Sequence, residues 1–522
     1  MKLEKSISPL GLLFISVSSI MGSGWLFSAF YATQNAGPAS IISWLVGGVF
    51  MLIVAFTFAE VFSTLPVSGA SVRIPQISHG NVVGIFCSLA FWFTYVVLIV
   101  IEVQAVIQYL SFYFPDLVTE SGGLSLVGYS VSMVLLFLLC WINTASMKWV
   151  TRCNSLLTVL KIVIPIFIGI YLLIAFFSVK NLFHPLDSVF APMGIHGIFA
   201  AISTGGIVFS YNGFKFSCEV GGETKNPGFA IPFAVIGSIL LCMVIFLILQ
   251  SSFIVSLSPK DIHEGWGSLT LMNNNSPFAS ILAENGIHWI IPILYVGAVV
   301  SPLAAGLIYC TCASRSLMGI ALNGYAPKFL TKMNKNNVPH IPVWINFVLA
   351  LIVFNFFRGW HQIADLLTYL FALTFVFGPI CLLAFRKQLP DRKRHIRLPF
   401  VKIWTFVSLY LCTLFIYWVG WFIISKTGWF LLFCIVMALV MQIATKETVA
   451  EMKMHWKCSS WLWVFAATAF IASYAGSYGG GHALLDDGWV MLFLAVSDLL
   501  VIWLAMKYRM PDAAVLAETA DI

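Results

Sequence analysis

Residues 22–25 read Gly-Ser-Gly-Trp in the middle of the first long apolar stretch of the chain. A membrane helix has no need of two glycines around a serine at mid-depth. A segment so short of side chains unwinds easily and frees backbone N–H and C=O groups. In hydrocarbon such groups are tolerated only where protein buries them or where they line a cavity. A helix broken at the midplane is how many secondary transporters hold a small polar substrate. The feature points to transport rather than catalysis.

The rest of the composition agrees with a membrane setting. Of 522 residues, 60% are hydrophobic and 9% charged, and mean hydropathy is +0.95. Soluble chains of this length are not so apolar. A span takes about 20 apolar residues. Fourteen candidate spans follow: 8–32, 39–65, 82–112, 125–145, 154–178, 196–219, 230–256, 287–314, 341–357, 361–385, 403–424, 427–444, 461–477 and 489–506. The expected class is an all-α polytopic membrane protein.

Basic residues set the expected orientation. With the N-terminus cytoplasmic and the spans alternating, inside loops and tails hold 22 of the 28 Lys and Arg, including Arg73, Arg315, Arg386, Arg394 and Arg509. Outside loops hold Lys180, Lys260, Arg358 and Lys426, and Lys161 and Lys215 fall within spans. That asymmetry predicts a multi-pass protein of the cell (inner) membrane with both termini cytoplasmic. The net charge of +7 fits loops facing anionic lipid and needs no nucleic-acid partner. The apolar run after Lys5, about 25 residues, is too long for the core of a cleaved signal peptide.

The 11 cysteines sit mostly in apolar spans, with no CxxC and no Cys/His cluster, so buried thiols are expected and no metal site. No phosphate-binding loop, nucleophile elbow or His-Glu-x-x-His is present. An enzyme and an ATP-driven pump are both disfavoured. Energy is expected from an ion gradient or from exchange, with no cofactor.

Span 6 repeats the oddity of span 1. Residues 203–213 read Ser-Thr-Gly-Gly-Ile-Val-Phe-Ser-Tyr-Asn-Gly. Breaks five spans apart are what two five-helix inverted repeats require. In the first break, Gly22, Ser23 and Gly24 would present amides at the start of a half-helix, where the dipole favours a carboxylate. Carbonyls near Ser19 and Ile20 could accept from an ammonium. An α-amino acid carries both groups. In the second break, 205–213, Phe209 and Tyr211 flank the site with Ser210 and Gly213 beside them, and an aromatic there could close the site from water.

Four charged groups lie at depth. Lys161 is about two turns inside span 5, and a cation at the bilayer centre costs about 2.5–3.5 kcal/mol on insertion scales, so it is expected to face the protein interior. It is a candidate proton carrier, or a fixed charge on unwound carbonyls. Lys215 is expected to pair with a substrate carboxylate or with Glu102, Glu219 or Glu60. Glu102 is expected to pair with a lysine or relay protons. Glu60 is expected to pair with Arg73. His482, Asp486 and Asp487 read as solvated turn residues.

These residues resemble the amino acid–polyamine–organocation permeases. The likeness rests on Ile-Met-Gly-Ser-Gly-Trp-Leu-Phe at 20–27, Phe-Ala-Glu at 58–60, Leu-Pro-Val-Ser-Gly at 65–69, Lys161, Gly-Glu-Thr-Lys-Asn-Pro at 222–227, Ile-Pro at 231–232 and Ala-Ser-Arg-Ser-Leu at 313–317. Within that family the chain is most similar to bacterial aspartate–proton symporters, through residues 72–80, 101–109, 200–206 and 473–479. The resemblance implies a LeuT-type inverted-repeat core over spans 1–10 (residues 1–386), peripheral spans 11–14 (387–506) and a cytoplasmic tail (507–522). It also implies a substrate's backbone groups at the two breaks, a lysine matching Lys161 in place of a sodium ion, a polar residue from span 8 near it (Ser301), and an outer lid at 257–286. One departure stands out. Lys215 occupies a position where a gating glutamate is common, and a cation there suits an anionic substrate side chain. The expected function is a proton-coupled symporter of acidic amino acids by alternating access. The alternatives are an exchanger, or a carrier of neutral amino acids, on the same fold. The expected partners are an amino acid, protons and membrane lipid.

Overall fold

The computed structural model describes residues 7–67, 70–119, 123–145, 147–177, 189–336, 338–357, 359–444 and 448–520. Lys2, Lys5, Lys180, Arg358 and Lys446, used above for orientation, and Ser68 and Gly69 of the 65–69 motif lie outside the described residues. The described chain is helical almost throughout. Its β pairing, among those residues, is two isolated bridges, Ile7 with Thr224 and Val118 with Leu124.

By length and hydropathy, ten helices can cross a membrane, or up to twelve when each of two bent pairs counts as one span. Two of the fourteen apolar stretches give shorter helices. The first is divided into Pro9–Ile20 and Gly24–Ala36. The ninth is His340–Phe356, 17 residues long. Between Gly24–Ala36 and Ser40–Thr64 lies one 3-10 turn, Gly37–Ala39, where Gly37 takes φ +60 and Pro38 stops the preceding helix.

Burial sorts these helices into posts and rim. Asn81–Leu110 has 94% of its apolar window inside the protein and Gly359–Gln388 has 100%. Leu126–Thr144, Leu157–Phe176, Trp421–Ile443 and Asp487–Lys507 each have 33%. The rim helices turn residues such as Phe137, Ile174, Phe433 and Leu492 outward, as lipid contact requires. Hydrocarbon gives helices little reason to associate beyond close fit and hydrogen bonds. Glycines supply that fit at the crossings. Gly47 lies under Ile207, Gly297 under Ile164 and Trp25, and Gly306 under Leu139.

Glu60 does not pair with Arg73. Its carboxylate meets Arg386 at 2.6 Å and Arg394 at 3.6 Å, and its Oε2 accepts the Leu398 amide at 2.7 Å. The basic segment after span 10 folds back over the end of span 2 and brings both guanidiniums in. Nearby, the Ile7 amide donates to Glu223 and the Lys225 amide to the Ile7 carbonyl, tying the N-terminal segment to the loop after span 6. At the same end, the Met510 amide of the tail donates to the Ser78 carbonyl at 3.0 Å.

Candidate functional site

Span 1 is interrupted at Met21–Ser23, between the half-helices Pro9–Ile20 and Gly24–Ala36. Span 6 is interrupted between Gly194–Ser203 and Ile207–Glu219, with a bend of 42°. The span 1 interruption lies against the half of span 6 that follows the second. A Cβ on Gly213 would strike the backbone of Ser19 and Ile20, and a Cβ on Gly24 would strike the Ser210 hydroxyl. Gly22 is held close in the same way by the Glu102 carboxylate.

The carbonyls freed in span 1 are taken by side chains from other spans. Lys161 donates its ammonium to the Ser18 carbonyl at 3.0 Å and to the Ser18 hydroxyl at 3.3 Å. Tyr309 donates to the Ser19 carbonyl at 2.8 Å, and Ser301 to the Met21 carbonyl at 3.3 Å. The Ile20 carbonyl accepts from the Gly22 amide at 3.0 Å. Lys161, Ser301 and Tyr309 are all buried. This arrangement meets the demand that unwound backbone in a membrane find partners in the protein. It also places a cation from span 5 directly on the break.

Beside that cation stands Glu102 of span 3, 1% exposed. Its carboxylate takes the Ser23 hydroxyl and amide, and Lys161 acts on it through charge. Its Oε2 has no hydrogen-bond partner among the described residues. Residues 18–24 thus carry a positive and a negative side chain on adjoining sides.

Above the breaks lies an aromatic lid. The Trp360 indole N–H donates to the Ser23 hydroxyl at 2.9 Å. Phe27 stacks on its ring at 4.9 Å, Tyr31 at 5.8 Å, and Phe209 meets it edge-on at 5.4 Å. Ser23, Phe27, Phe209 and Trp360 are all buried. The Trp360 amide donates to Gln108 Oε1 at 2.8 Å, and Gln108 Nε2 donates to Asn275 Oδ1 at 2.9 Å. A short relay therefore links the segment 257–286 to the lid and the lid to the first break.

The second break has its own bonds. Ser28 and Ser210 share a hydrogen bond at 3.0 Å, and both hydroxyls reach the Gly206 carbonyl, at 3.2 and 2.8 Å. The Phe209 carbonyl accepts from the Asn212 amide group. Tyr211 turns away from the first break, with its hydroxyl on the Trp44 carbonyl at 3.3 Å and its ring against Trp44 and Phe246.

Lys215 lies one turn further along. It is buried, donates to the Thr374 hydroxyl at 3.0 Å, and sits over the rings of Phe91, Phe371 and Phe375 at 4.5, 4.5 and 4.9 Å. Three ring faces and a hydroxyl partly replace its water shell. Glu219, which receives the Tyr95 hydroxyl at 3.2 Å, is its charged neighbour. Glu60 is engaged elsewhere, and Glu102 is the neighbour of Lys161.

Of the residues singled out in the sequence, Ser19, Ile20, Gly22, Ser23, Gly24, Phe209, Ser210, Gly213, Lys161, Glu102 and Ser301 come together at the breaks. Tyr211 and Lys215 lie to either side. Trp360, Tyr309 and Gln108 were not singled out. For Gln108 there was a signal, since an amide deep in an apolar span needs a partner. For Trp360, one of 18 tryptophans, there was none.

The amino acid permease family model matches residues 7–441. A glutamate/serine transporter of Bacillus subtilis is 32% identical over 97% of this chain and 94% of its own length. An aspartate–proton symporter of the same bacterium is 31% identical over 98% of both. A branched-chain amino acid permease, again from Bacillus subtilis, is 22% identical over 81% of this chain. The chain belongs to the amino acid permease family of the amino acid–polyamine–organocation superfamily, and is a secondary-active, multi-pass membrane transporter of amino acids rather than an enzyme.

Proposed function

We propose that this protein is a proton-coupled symporter of acidic amino acids that works by alternating access. Its core, residues 1–386, would be a LeuT-type five-plus-five inverted repeat in the inner membrane, with both termini cytoplasmic and spans 11–14 at its side. The observation that carries the reading is the packing of the span 1 break against the half of span 6 that follows the second, under a buried aromatic lid, with Lys161 bonded to the first break.

The amino acid's α-carboxylate would take the amides at Gly22, Ser23 and Gly24, where the half-helix Gly24–Ala36 begins. Its ammonium would take carbonyls near Ser19, Ile20, Phe209 and Ser210. Tyr309 and Asn212 now hold two of these, so substrate entry would exchange one set of hydrogen bonds for another. Phe209 and Trp360 would close over the bound molecule. Lys161, with Glu102 and Ser301 beside it, would release and regain a proton as the breaks open. The proton gradient is the energy source and no cofactor takes part.

Lys215 supports an anionic substrate, since a buried cation near the site favours a carboxylate in a low-dielectric setting. The names of two relatives, one a glutamate/serine transporter and one an aspartate–proton symporter, support the same class. A second reading has a specific observation behind it. The Lys215 ammonium already has three rings and a hydroxyl around it, which suits a fixed structural cation and a neutral substrate such as serine.

Uptake of radiolabelled L-aspartate and L-serine into proteoliposomes, with the inside alkaline or equilibrated, separates these readings. The expected result is gradient-driven aspartate uptake that Lys215→Met abolishes. Serine uptake that survives Lys215→Met, with no aspartate uptake by wild type, would favour the neutral-substrate reading. Uptake that needs internal amino acid and ignores the gradient would make the protein an exchanger.

A further inference from the structure

Residues 473–479 and Asp487 lie beyond the ten-helix core, and the function proposed above makes no use of them. The sequence reads Asp487 as a solvated turn residue. The structure engages it on three sides. Its Oδ1 accepts from the Tyr417 hydroxyl at 2.5 Å and the Ser477 hydroxyl at 2.7 Å, and its Oδ2 lies 3.2 Å from His196 Nδ1.

His196 belongs to Gly194–Ser203, the half of span 6 that precedes the break. Its ring stacks on Tyr478 at 4.0 Å and 14°, and the Tyr478 hydroxyl reaches the His196 carbonyl at 3.4 Å. One turn on, Phe199 stacks on Trp418 at 4.6 Å. The grip depends on close backbone approach. Gly420 and Gly479 both have positive φ, and a Cβ on either would strike the other's backbone. Three separate parts of the peripheral region, Tyr417–Trp418, Ser477–Tyr478 and Asp487, therefore hold one half-helix. That half-helix ends at the break that carries Gly206, which is followed by the helical turn holding Phe209.

The hold has one titratable hinge. His196 is 52% exposed, and histidine changes charge between pH 5 and 8. Among the described residues, the titratable groups facing it are Asp487, Tyr478 and Tyr417. Asp486 is occupied with the Gly488 amide, and His482 packs on Tyr474 and Trp421. From the half-helix Gly24–Ala36 the contact on this face is backbone, Asn35 against Gly197, and Tyr31 is turned to Trp360 and His361. In span 2 the charged residue is Glu60, at the far end with Arg386. A proton on His196 converts a hydrogen bond to the Asp487 carboxylate into an ion pair, with no like charge facing it among the described residues.

We propose that the peripheral spans serve as an acid-sensing latch, in which protonated His196 binds Asp487 and holds the outer half of span 6 in its closed position. This rests on the orientation and alternating-access reading above. Acid outside would then slow reopening of the outer half of span 6 in every turnover, exchange included, and limit the turnover that a steep gradient drives.

The test is counterflow exchange of whichever amino acid the wild type carries, at equal pH on both sides, from pH 5.5 to 7.5. It needs neither proton coupling nor an acidic substrate, so failure of either of those leaves the comparison readable. Wild-type turnover is expected to fall about threefold on acidification with KM unchanged, the size of an exposed charge pair. His196→Phe keeps the stacking on Tyr478 and should abolish the fall, holding the rate high. Asp487→Asn should do the same. His196→Lys should hold the rate low at every pH. A wild type without the fall, a fall that survives in His196→Phe, or a Lys variant that matches the Phe variant would each overturn the latch.

Discussion

The two helix breaks use glycine for different reasons. In span 1, Gly22 and Gly24 have no positive φ; they are glycines because the Glu102 carboxylate and the Ser210 hydroxyl occupy the space of a Cβ. In span 6, Gly206 has φ +79, a conformation that costs a side-chain-bearing residue about 1–2 kcal/mol, and a Cβ there would also meet Ser28 and the Trp360 ring. The bonds differ as well. The span 1 break hangs on Lys161, Tyr309 and Ser301 from other spans, one of them charged. The span 6 break closes on neutral hydroxyls, Ser28 and Ser210, at the Gly206 carbonyl. The first break is thus bonded directly to a titratable side chain, and the second closes on hydroxyls. A proton-driven cycle would act through the first.

That contrast can be broken in order of expected effect. Lys161→Ala should do the most damage. It leaves the Ser18 carbonyl without its donor and Glu102 without its cation, a loss on the order of 3–5 kcal/mol for a buried pair. Gradient-driven uptake should drop more than a hundredfold, read against carrier content in the same vesicles. Gly206→Ala should come next, with uptake down about tenfold or more, and Ser28→Ala should not rescue it because φ remains unfavourable. Gly24→Ala should be comparable alone but partly rescued by Ser210→Ala, which removes the atom it strikes. A coupling of about 0.5–3 kcal/mol in that double-mutant cycle would mark direct contact, and additivity would contradict the packing described here. Trp360→Phe should be mildest. It keeps the stack on Phe27 and loses one hydrogen bond to Ser23, about 1 kcal/mol, seen as a roughly fivefold weaker apparent affinity.

Much of this was legible along the chain, and the exceptions share a cause. Gly-Ser-Gly at 22–24 and Gly-Gly at 205–206 announce breaks because close packing by small residues is a weaker account of two such sites five spans apart. Lys161 announces an interior position because hydrocarbon penalises a charge. Local chemistry of this kind is written locally. Partners are not. Glu60 meets Arg386 and Arg394 rather than Arg73, since a returning loop decides the matter and sequence distance does not. Asp487 looks like any acidic turn residue until His196 arrives from span 6. Trp360 joins the lid through neighbours in spans 1 and 6, and nothing in its own surroundings sets it apart. The division of span 1 also shortens its first half to 12 residues, which a continuous apolar run does not reveal.

Proton coupling through the first break is tested most directly by separating exchange from accumulation in Lys161→Gln, which keeps a donor for the Ser18 carbonyl and removes the titratable charge. Wild-type and mutant proteoliposomes would be assayed for counterflow without a pH gradient and for accumulation with the inside alkaline. Counterflow that persists, lowered by up to about a hundredfold for the loss of one charged hydrogen bond of about 1.5–3 kcal/mol, with accumulation abolished, is the predicted result. A mutant that still accumulates its amino acid when the inside is alkaline would show that the proton travels by another route.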